Sequence, residues 1–597
     1  MRKFSVALLW ILLGTSNAAL ATPANEPARR LAPEGARNLE AFTRLLGYVR
    51  FFHPSDQAAA ADWDRVAIAG VQAVEDASGA ADLALTLEDF FRPLAPTLRV
   101  YPEGQRPALP AELLPPPGVE NPDVTFWHHR GVGLPGNTIP TWSSSRLVFP
   151  NAPPANSFVP GPGEPLEVSL GGGVSALVPL SLYKNAFGTI PPTSAPAPAP
   201  EKPAGFLPSG NDRVTRLAGV ALAWPVFQHF YPYFDIVPAD WPAELRKALS
   251  SAAEDADERA FVDTLRRMMA ALEDGHARVS HRSYVLSHQI PLTWDWIDDR
   301  VVITHADPLG APGLTRGDIV LTIDNRPAGQ VFQEHWDLAP GASFRHRRWR
   351  ALQTMALGAQ NEEVRLRVLK HHGGVDEVTV RRTFSVPGGP GGRPFSEPRP
   401  EKIAEIQPGI LYVDLDRIND DDFYAAFDQL AAAQGIIFDL RGYPWEVGLD
   451  AIVYMLDRPA RSAIFNVPLT HRPDRQWVGH VDVGWPLPNF LLLPAPRVFI
   501  TDGRAISYAE TWMAFVEEYE LGEIVGEATS GTNGTINFVF LPGGYSLRFT
   551  GMRVLKHDGT PHHGVGILPT VPVSRTLAGI REGRDEFLEK AIEVVNP

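Results

Sequence analysis

The stretch RVFITDGRAISYAETWMAFVEEYELGEIVG, residues 497–526, contains the pattern that defines the fold. Residues 497–501 have the apolar and β-branched composition of a strand. Large apolar residues then recur at helical spacing from Tyr508 to Tyr519 and predict a helix with one apolar face. Gly522 predicts the end of this helix, and residues 523–526 predict a second strand. The order strand, helix, strand indicates a mostly parallel α/β layer.

The same order occurs earlier in the C-terminal third of the chain. Residues 409–415 predict a strand, residues 421–433 a helix, and residues 435–442 a strand that is covered on both faces, because its apolar run is unbroken. In parallel α/β sheets, functional groups collect where strands end and helices begin. Ser507 follows the strand at 497–501 and stands at the start of the next helix, so it is the first candidate for a functional residue.

Two interpretations of Ser507 are open from this segment alone. Ser507 and Glu510 form the S-x-x-E pattern of a capping box, which is how many ordinary helices begin. A nucleophile would also stand at a helix start, because the free N–H groups and the helix dipole there favour a developing oxyanion. A nucleophile needs its oxygen free and a base within reach, so the rest of the chain must decide.

Composition limits the classes of function. The formal net charge of −15 argues against nucleic acid and anionic membrane surfaces as main partners. Residues 1–21 have a basic start, a short apolar run and a small-x-small ending, which predict a secretory signal cleaved near Ala21. No later stretch is long enough to span a membrane. The chain has no cysteine, which excludes disulfides and lipoprotein acylation and is compatible with a periplasmic location.

The N-terminal half contains a duplicated pattern. Arg44 to Trp63 and Arg216 to Trp241 share the order Arg-Leu-x-Gly, aromatic residues, Pro, and Asp-Trp, and each continues into amphipathic helical sequence. Thr97 occupies the place in the first copy where the second copy has His276. If one copy takes part in chemistry, we expect it to be the second.

A PDZ-like segment follows the second copy. Residues 313–329, GLTRGDIVLTIDNRPAG, resemble the signature of PDZ domains, which bind peptide chain ends by adding a strand to a sheet edge. An unrelated pair of β-hairpins is the alternative. Together these patterns predict, in chain order, a signal peptide at 1–21, a helical module at 22–100, a β-rich domain at 101–189, a Pro/Ala linker at 190–208, a helical module at 209–289, a PDZ-like domain at 290–385 and an α/β core at 400–597.

Four motifs of the C-terminal region resemble those of the tail-specific or C-terminal processing serine peptidase family. They are FDLRG (438–442), ITDGRAISYAE (500–510), VGEATSGTNG (525–534) and DGTPHHGVGILPTVPV (558–573), in the order and approximate spacing of that family. The resemblance covers about residues 210–580. It implies a multidomain α/β protein with a crotonase-like or ClpP-like core, hydrolysis of peptide bonds through an acyl-enzyme at Ser507, and no cofactor or metal.

The resemblance also identifies a candidate base. One branch of the family uses a lysine downstream of the serine, but Thr532 stands at that place here. The other branch, which includes the tricorn core protease and the interphotoreceptor retinoid-binding proteins, uses a histidine from an upstream Asp-Gly-His segment. This chain has that segment at 274–276, so the resemblance implies that His276 is the general base.

Two departures from the family pattern leave parts of the site open. His563 stands where that branch has a glutamate as third triad member, and Asp274, Glu446 or Glu510 are the alternatives. The oxyanion strand reads GYPWEVG in place of Asn-x-Gly-Gly, so we expect the oxyanion to be held by backbone N–H groups. The expected donors are Gly442, Trp445 and Tyr508.

The departures keep two other functions open. The chain could be a catalytically inactive binding protein for a peptide or hydrophobic ligand on a peptidase scaffold, or an exported envelope scaffold. Ser507 and His276 favour a peptidase, because a binder needs neither. The expected partner is therefore a protein or peptide substrate, and the oligomeric state stays open.

Overall fold

The computed structural model describes residues 25–117, 122–134, 141–150, 158–202, 205–386 and 395–596. The predicted signal peptide lies outside the described residues. No helix in the described ranges is long and apolar enough to cross a membrane. The protein is a mixed α/β molecule of several packed units, as expected from the sequence.

Two helical units contain the duplicated pattern and pack against each other. The first comprises α1 (Pro33–Phe52), α2 (Asp56–Ala60), α3 (Trp63–Val74) and α4 (Gly79–Phe91), and the second comprises α5 (Arg213–Phe230), α6 (Trp241–Glu254) and α7 (Glu258–Ala270). The long helices α1 and α5 contribute to one hydrophobic core, which extends to the strands around residues 539–549. Each unit ends in a short strand, so the two copies share the order of their main elements.

The region between the helical units is built from short strands. These are β1 (Arg99–Pro102), β2 (Val124–Arg130), β3 (Ser143–Phe149), β4 (Leu166–Gly171), β5 (Val174–Val178), β6 (Ser181–Asn185) and β7 (Gly188–Thr189), with a 3-10 turn at Ala111–Leu113. β1, β4 and β5 form a small antiparallel sheet. β2 pairs with both β3 and β6.

Residues 278–385 begin with the strand that ends the second helical unit and continue into a separate unit from residue 288 onward. The elements of this segment are β8 (Arg278–Ser280), β9 (His288–Gln289), β10 (Leu292–Ile297), β11 (Arg300–Ala306), β12 (Ile319–Ile323), β13 (Arg326–Pro327), α8 (Ala328–Asp337), α9 (Phe344–Ala356), β14 (Leu357–Gly358), β15 (Glu363–Leu369), β16 (Val375–Arg381) and β17 (Phe384–Ser385). The main sheet has the order β10-β11-β12-β15-β16, with β13 paired to β12. Its core also includes residues of α8 and α9.

The C-terminal unit contains the predicted α/β layer. Its first elements are β18 (Ile403–Gln407), β19 (Ile410–Asp414), α10 (Asp420–Ala425), α11 (Phe427–Ala431), β20 (Gly435–Asp439), α12 (Asp450–Val453), β21 (Ala460–Arg461), β22 (Ile464–Thr470), β23 (Gly479–Asp482) and β24 (Pro486–Leu487). They are followed by β25 (Arg497–Thr501), α13 (Tyr508–Glu518), β26 (Glu523–Gly526), β27 (Ile536–Leu541), β28 (Tyr545–Thr550), β29 (Arg553–Leu555), β30 (Val571–Pro572), α14 (Leu577–Glu582) and α15 (Glu586–Val595).

The central sheet has the order β18-β19-β20-β25-β26-β30, and every pair after β18-β19 is parallel. Both faces are covered: Trp512 of α13 belongs to the core on one face, and Phe587 of α15 to the core on the other. This cover explains the unbroken apolar runs of the strands. The parallel direction brings the ends of β20 and β25 to the same edge, where Gly442 and Ser507 follow.

Two sheets join distant parts of the chain to this unit. β2 pairs with β22, so the N-terminal β region and the excursion at 460–487 share one sheet, with His129 opposite Thr470. β8 pairs with β28, so the strand after the second helical unit joins the C-terminal unit. The second pairing positions the 274–276 segment beside the peptidase-like core.

Candidate active site

Ser507 begins helix α13 in an unusual backbone conformation. Its φ of 58° and ψ of −113° lie outside the regions that most L-residues occupy, a conformation that costs about 1–3 kcal/mol. Its backbone N–H donates to the Thr532 carbonyl at 2.8 Å. Its side chain makes no capping hydrogen bond to the helix, so the capping-box interpretation is wrong.

Glu510 has a different role from the one that a capping box would give it. Its buried carboxylate accepts hydrogen bonds from the Thr529 hydroxyl at 2.5 Å, the Ser530 hydroxyl at 3.1 Å, and the Gly531 and Thr532 N–H groups at 2.7 and 2.8 Å. Burial acts to raise the pKa of Glu510, but neighbouring His562 and these hydrogen bonds lower it below its usual value. Glu510 therefore fixes the loop at 529–532 that contacts Ser507.

His276 has a defined tautomer because of its neighbours. Its Nδ1 lies 2.9 Å from the Thr550 hydroxyl, and that hydroxyl donates to Asp274 Oδ1 at 2.7 Å. A threonine hydroxyl has one proton, so Thr550 can only accept from His276 while it donates to Asp274. Nδ1 therefore carries the hydrogen, and Nε2 has the lone pair that a general base requires.

Asp274 also holds the turn that presents His276. Its carboxylate accepts the His276 backbone N–H at 2.9 Å and the Thr550 backbone N–H at 2.6 Å. Burial raises the pKa of Asp274, and these hydrogen bonds oppose part of that rise. The pKa of His276 is lowered to about 3, first by burial and then by the positive charges of Arg548 and its other neighbours. The imidazole is therefore neutral near pH 7, as a base must be.

Thr532 connects the Ser507 and His276 segments. Its hydroxyl accepts the Gly275 N–H at 3.0 Å, and its carbonyl accepts the Ser507 N–H at 2.8 Å. A Cβ on Gly275 would lie 2.7 Å from the Thr532 hydroxyl and 2.9 Å from Ile506 Cδ1, so the turn packs directly against the residue before Ser507. Thr532, which stands where the other branch of the family has a lysine, thus connects the two candidate catalytic segments by hydrogen bonds.

Ser507 and His276 are not hydrogen-bonded to each other in this structure. His276 Nε2 is buried and has no hydrogen-bond partner among the described residues. Ser507 lines a cleft and is half-buried. A shift of the serine side chain or of the turn is needed before a proton can pass, and hydrogen bonds of unliganded active sites commonly tighten only when substrate binds.

Two of the three expected oxyanion donors are already engaged. The Gly442 N–H donates to the Leu440 carbonyl and the Trp445 N–H to the Tyr443 carbonyl, both at 2.9 Å. Both N–H groups therefore donate to turn carbonyls in this structure, and their role as oxyanion donors stays a prediction. The Tyr508 N–H is not bound by a carbonyl of its own helix, because the first N–H groups of a helix have no intrahelical acceptor, and its partner is the Tyr443 side chain.

Tyr443 lies beside that remaining donor. Burial raises the pKa of Tyr443, while hydrogen bonding with the Ser507 side chain and the Tyr508 backbone opposes the rise. The rings of Tyr443 and Tyr508 are 6.3 Å apart. The Tyr443 hydroxyl is thus a second polar group next to the nucleophile, and no pattern in the sequence predicted it.

His563 is not placed to orient His276. Its ring stacks on Tyr233 with centroids 3.9 Å apart, and neither ring nitrogen has a hydrogen-bond partner among the described residues. Its neighbour His562 places Nε2 3.3 Å from Glu510 Oε1. The position that holds a glutamate in related sequences therefore contributes no hydrogen bond to His276, whereas Asp274 is connected to His276 through the Thr550 hydroxyl.

A cleft of about 360 Å³ opens beside Ser507. One wall of the cleft is apolar. It is formed by Phe465, Val483 and Trp485 of the excursion at 464–485 and by Met552 in the turn before β29. The polar part contains Thr511, Asn533 and Thr535. Gly133 of the N-terminal β region also lines the cleft, because the sheet shared by β2 and β22 brings this region to the site.

The comparisons with known proteins agree with this geometry. Residues 409–573 match the sequence model of peptidase family S41. The match places a segment similar to peptidase family S41 on the unit that contains Ser507, and it covers less than a third of the chain. The resemblance seen in the sequence is confirmed at this level, and the choice of the histidine branch stays a prediction.

Solved structures show the same fold. A mutant of CPAF matches with a TM-score of 0.53 and 15% identity, covering 64% of this chain and 98% of that one. Mature CPAF complexed with lactacystin matches with a TM-score of 0.51 and 14% identity, covering 64% and 98%. Mature CPAF alone gives 0.50 and 16%, covering 64% and 96%. Among curated proteins, no sequence matches the chain.

Proposed function

We propose that the protein is an exported serine peptidase that cleaves protein or peptide substrates through an acyl-enzyme at Ser507. The observation that carries the proposal is the relay from Asp274 through Thr550 to His276, which leaves the Nε2 lone pair of a neutral imidazole unused. His276 is buried with one nitrogen fixed and the other unpartnered, and its turn packs against the residue before the strained Ser507, an arrangement that is costly to maintain without a function.

In the proposed reaction, His276 Nε2 takes the proton of Ser507 as Oγ attacks the peptide carbonyl carbon. The carbonyl π bond breaks and the oxygen becomes an oxyanion, held by the Tyr508 N–H and the Tyr443 hydroxyl. His276 then gives its proton to the leaving amine as the C–N bond breaks. Water repeats the sequence on the acyl-enzyme ester and releases Ser507.

Asp274 does not contact the His276 imidazole directly in this scheme. A carboxylate bonded directly to the imidazole would stabilise the imidazolium most strongly. Here the Thr550 hydroxyl intervenes, so the negative charge acts over a longer distance while the tautomer is still fixed. The two functions of a third triad member are therefore divided between Thr550, which orients, and Asp274, which carries the charge.

The substrate and location are part of the same proposal. The PDZ-like unit at 290–385 would bind an extended substrate segment, and the signal at 1–21 would direct export to the periplasm. N-terminal sequencing of the protein recovered from a Gram-negative periplasm should begin near Thr22. An uncleaved N-terminus in the cytoplasmic fraction would contradict the export part alone.

A peptide-binding role without catalysis is the alternative, and the missing Ser507–His276 hydrogen bond favours it. Incubation with casein, followed by mass spectrometry of new peptides, separates the two. Wild-type protein and the exposed-site control Ser143→Ala should release peptides, and Ser507→Ala should release none. Absence of products from a folded wild type, together with retained casein binding, would favour the alternative.

A further inference from the structure

A second cavity lies in the N-terminal part of the chain, between the first helical unit and strands β2 and β3. Its volume is about 140 Å³. Three aromatic side chains, Phe51, Trp63 and Trp127, supply most of its apolar lining, together with the small residues Ala58 and Ala59. None of its lining residues belongs to the catalytic cleft, so the proposed peptidase function does not account for this cavity.

Most polar side chains of the cavity wall are satisfied by the protein itself. The indole N–H groups of Trp63 and Trp127 donate to backbone carbonyls at 3.2 and 3.0 Å. His129 Nε2 donates to the Phe51 carbonyl at 2.7 Å. Its Nδ1 therefore has the lone pair and accepts the Ser144 hydroxyl at 2.7 Å. The side-chain hydrogens of these four residues are thus used within the protein, and none is left for a ligand.

Arg50 is the exception among the lining residues. Its Nη1 is buried and has no hydrogen-bond partner in the part of the chain that the structure describes. The guanidinium carbon lies 4.9 Å from the centroid of the Phe51 ring. Burial lowers the pKa of Arg50 to about 10, so the side chain is still protonated at neutral pH. A buried cation that lacks a bonded anion is costly to keep in a fold.

Asp64 is the one carboxylate that attracts Arg50 appreciably, but it does not neutralise it. Burial raises the pKa of Asp64 in spite of the Arg50 charge, and Asp64 does not line the cavity. The position of Arg50 in the last turn of α1 favours a cation, yet it gives Nη1 no acceptor. The guanidinium therefore retains a donor for an anion that enters the cavity.

We propose that this cavity binds a small aromatic carboxylate, with its ring against the indoles of Trp63 and Trp127 and its carboxylate on Arg50. The size is suitable, because an apolar cavity of about 150 Å³ holds a benzene ring. Aromatic walls favour an aromatic ligand, and the guanidinium fork matches a carboxylate. A space of this size takes one ring with its carboxylate and no peptide segment, so the ligand is a free small molecule.

The test measures binding of 4-fluorobenzoate and of its neutral counterpart 4-fluorobenzamide. Fluorine NMR of each compound, titrated with the whole protein, gives a dissociation constant. We expect the acid to bind about tenfold more tightly than the amide, the effect of about one charge-assisted hydrogen bond. Equal binding of the two compounds by the wild type would overturn the proposal.

Three variants test whether Arg50 carries the preference. Arg50→Gln should bind the acid and the amide equally, and Arg50→Lys should retain part of the preference for the acid. Arg37→Gln is the matched control, because Arg37 is an exposed arginine of the same helix, and it should leave both constants unchanged. A preference for the acid that survives in Arg50→Gln would contradict the assignment.

Two further measurements test the place and the size of the site. Ala59 is exposed, so Ala59→Leu should fold normally while its larger side chain fills the cavity and weakens both compounds by about tenfold. Unchanged binding in Ala59→Leu would place the compounds elsewhere and overturn the proposal. N-acetylphenylalanine should compete poorly with 4-fluorobenzoate, and competition as strong as that of benzoate would show that the site accepts the end of a peptide chain instead.

A folding defect can be separated from loss of the site. Because Arg50 is a buried cation without a bonded anion, Arg50→Gln should leave Tm unchanged or raise it. A lowered Tm together with equal weakening of acid and amide would indicate a structural role and contradict the inference. Ser507→Ala should bind both compounds as the wild type does, so failure of the peptidase function leaves this test intact.

Discussion

The Nδ1 atom of His276 lies 2.9 Å from the hydroxyl of Thr550, which stands 274 positions later in the chain. The same hydroxyl donates to Asp274. In a standard triad a carboxylate contacts the imidazole directly and orients it, whereas here a neutral threonine lies between the carboxylate and the imidazole. The relationship makes Thr550 a positioning residue for the base.

Thr550→Val should reduce kcat/KM on a peptide substrate by about 10- to 100-fold, because a charge-linked hydrogen bond of about 1.5–3 kcal/mol no longer fixes the imidazole. Thr550→Ser keeps a hydroxyl and should retain most activity. The measurement is kcat/KM for the two variants under identical conditions. His563→Ala serves as the contrast and should change kcat/KM little. A large loss of kcat/KM in His563→Ala, together with a near wild-type value in Thr550→Val, would contradict the role of Thr550 in orienting His276.

Tyr443→Phe removes the hydroxyl beside Ser507 without changing the size of the ring. If that hydroxyl holds the oxyanion, kcat should fall by about 10²-fold, as for other oxyanion donors, while KM stays nearly constant. Steady-state kinetics on a short peptide ester and the matching amide would test this. An unchanged kcat would return the entire oxyanion role to the Tyr508 N–H.

The pH dependence follows from the lowered pKa of His276. A free imidazole is half-protonated near pH 6.5, but the pKa of His276 is lowered to about 3, so the base stays neutral far below neutrality. The rate of serine acylation should therefore remain level from pH 8 to about pH 5 and decline only as the pH approaches the lowered pKa. An acid limb centred near pH 6.5 would show that His276 is solvated in the working enzyme.

The free energy of unfolding should also change with pH over part of the same pH range. A histidine whose pKa is lowered by folding contributes stability that is complete above the unfolded-state pKa near 6.5 and is lost as the pH falls towards the folded-state value. His53, His129, His276 and His563 all have pKa values lowered to about 3, chiefly by burial. The urea midpoint should therefore fall below pH 6.5, and circular dichroism must confirm the fold wherever acylation rates are compared.

The apolar wall of the cleft predicts a preference for substrates. Phe465, Val483 and Trp485 should accept a large apolar side chain next to the scissile bond. Trp485→Ala should lower kcat/KM for a phenylalanine-containing peptide by about tenfold and leave an alanine-containing peptide almost unchanged, as expected for lost apolar contact. A loss of equal size for both peptides would indicate structural damage instead of an altered pocket.

The sequence was informative where the signal is local. Alternating strands and helices placed Ser507 correctly at a helix start, and Asp-Gly-His with Thr532 in place of lysine singled out His276. The capping pattern of Ser507 and Glu510 was misleading, because a spacing of three residues does not report the positive φ of Ser507. Sequence periodicity does not indicate when a single residue adopts a strained backbone conformation.

Features that depend on distant residues could not be predicted. Thr550 is an ordinary strand residue in the sequence, and it meets His276 only because β28 pairs with β8. Gly442 and Trp445 appeared suitable as oxyanion donors because the chain does not reveal that local turns occupy their N–H groups. The cleft wall depends on the pairing of β2 with β22, which joins segments more than three hundred residues apart.

The most direct test of Ser507 as a nucleophile is covalent labelling by a fluorophosphonate probe, followed by intact-mass and peptide mass spectrometry. We expect one adduct per chain on Ser507 in wild-type protein, no adduct in Ser507→Ala, and labelling slowed by orders of magnitude in a folded His276→Ala variant. Absence of any adduct on folded wild-type protein, or labelling at the wild-type rate in His276→Ala, would contradict the assignment of Ser507 as a nucleophile activated by His276.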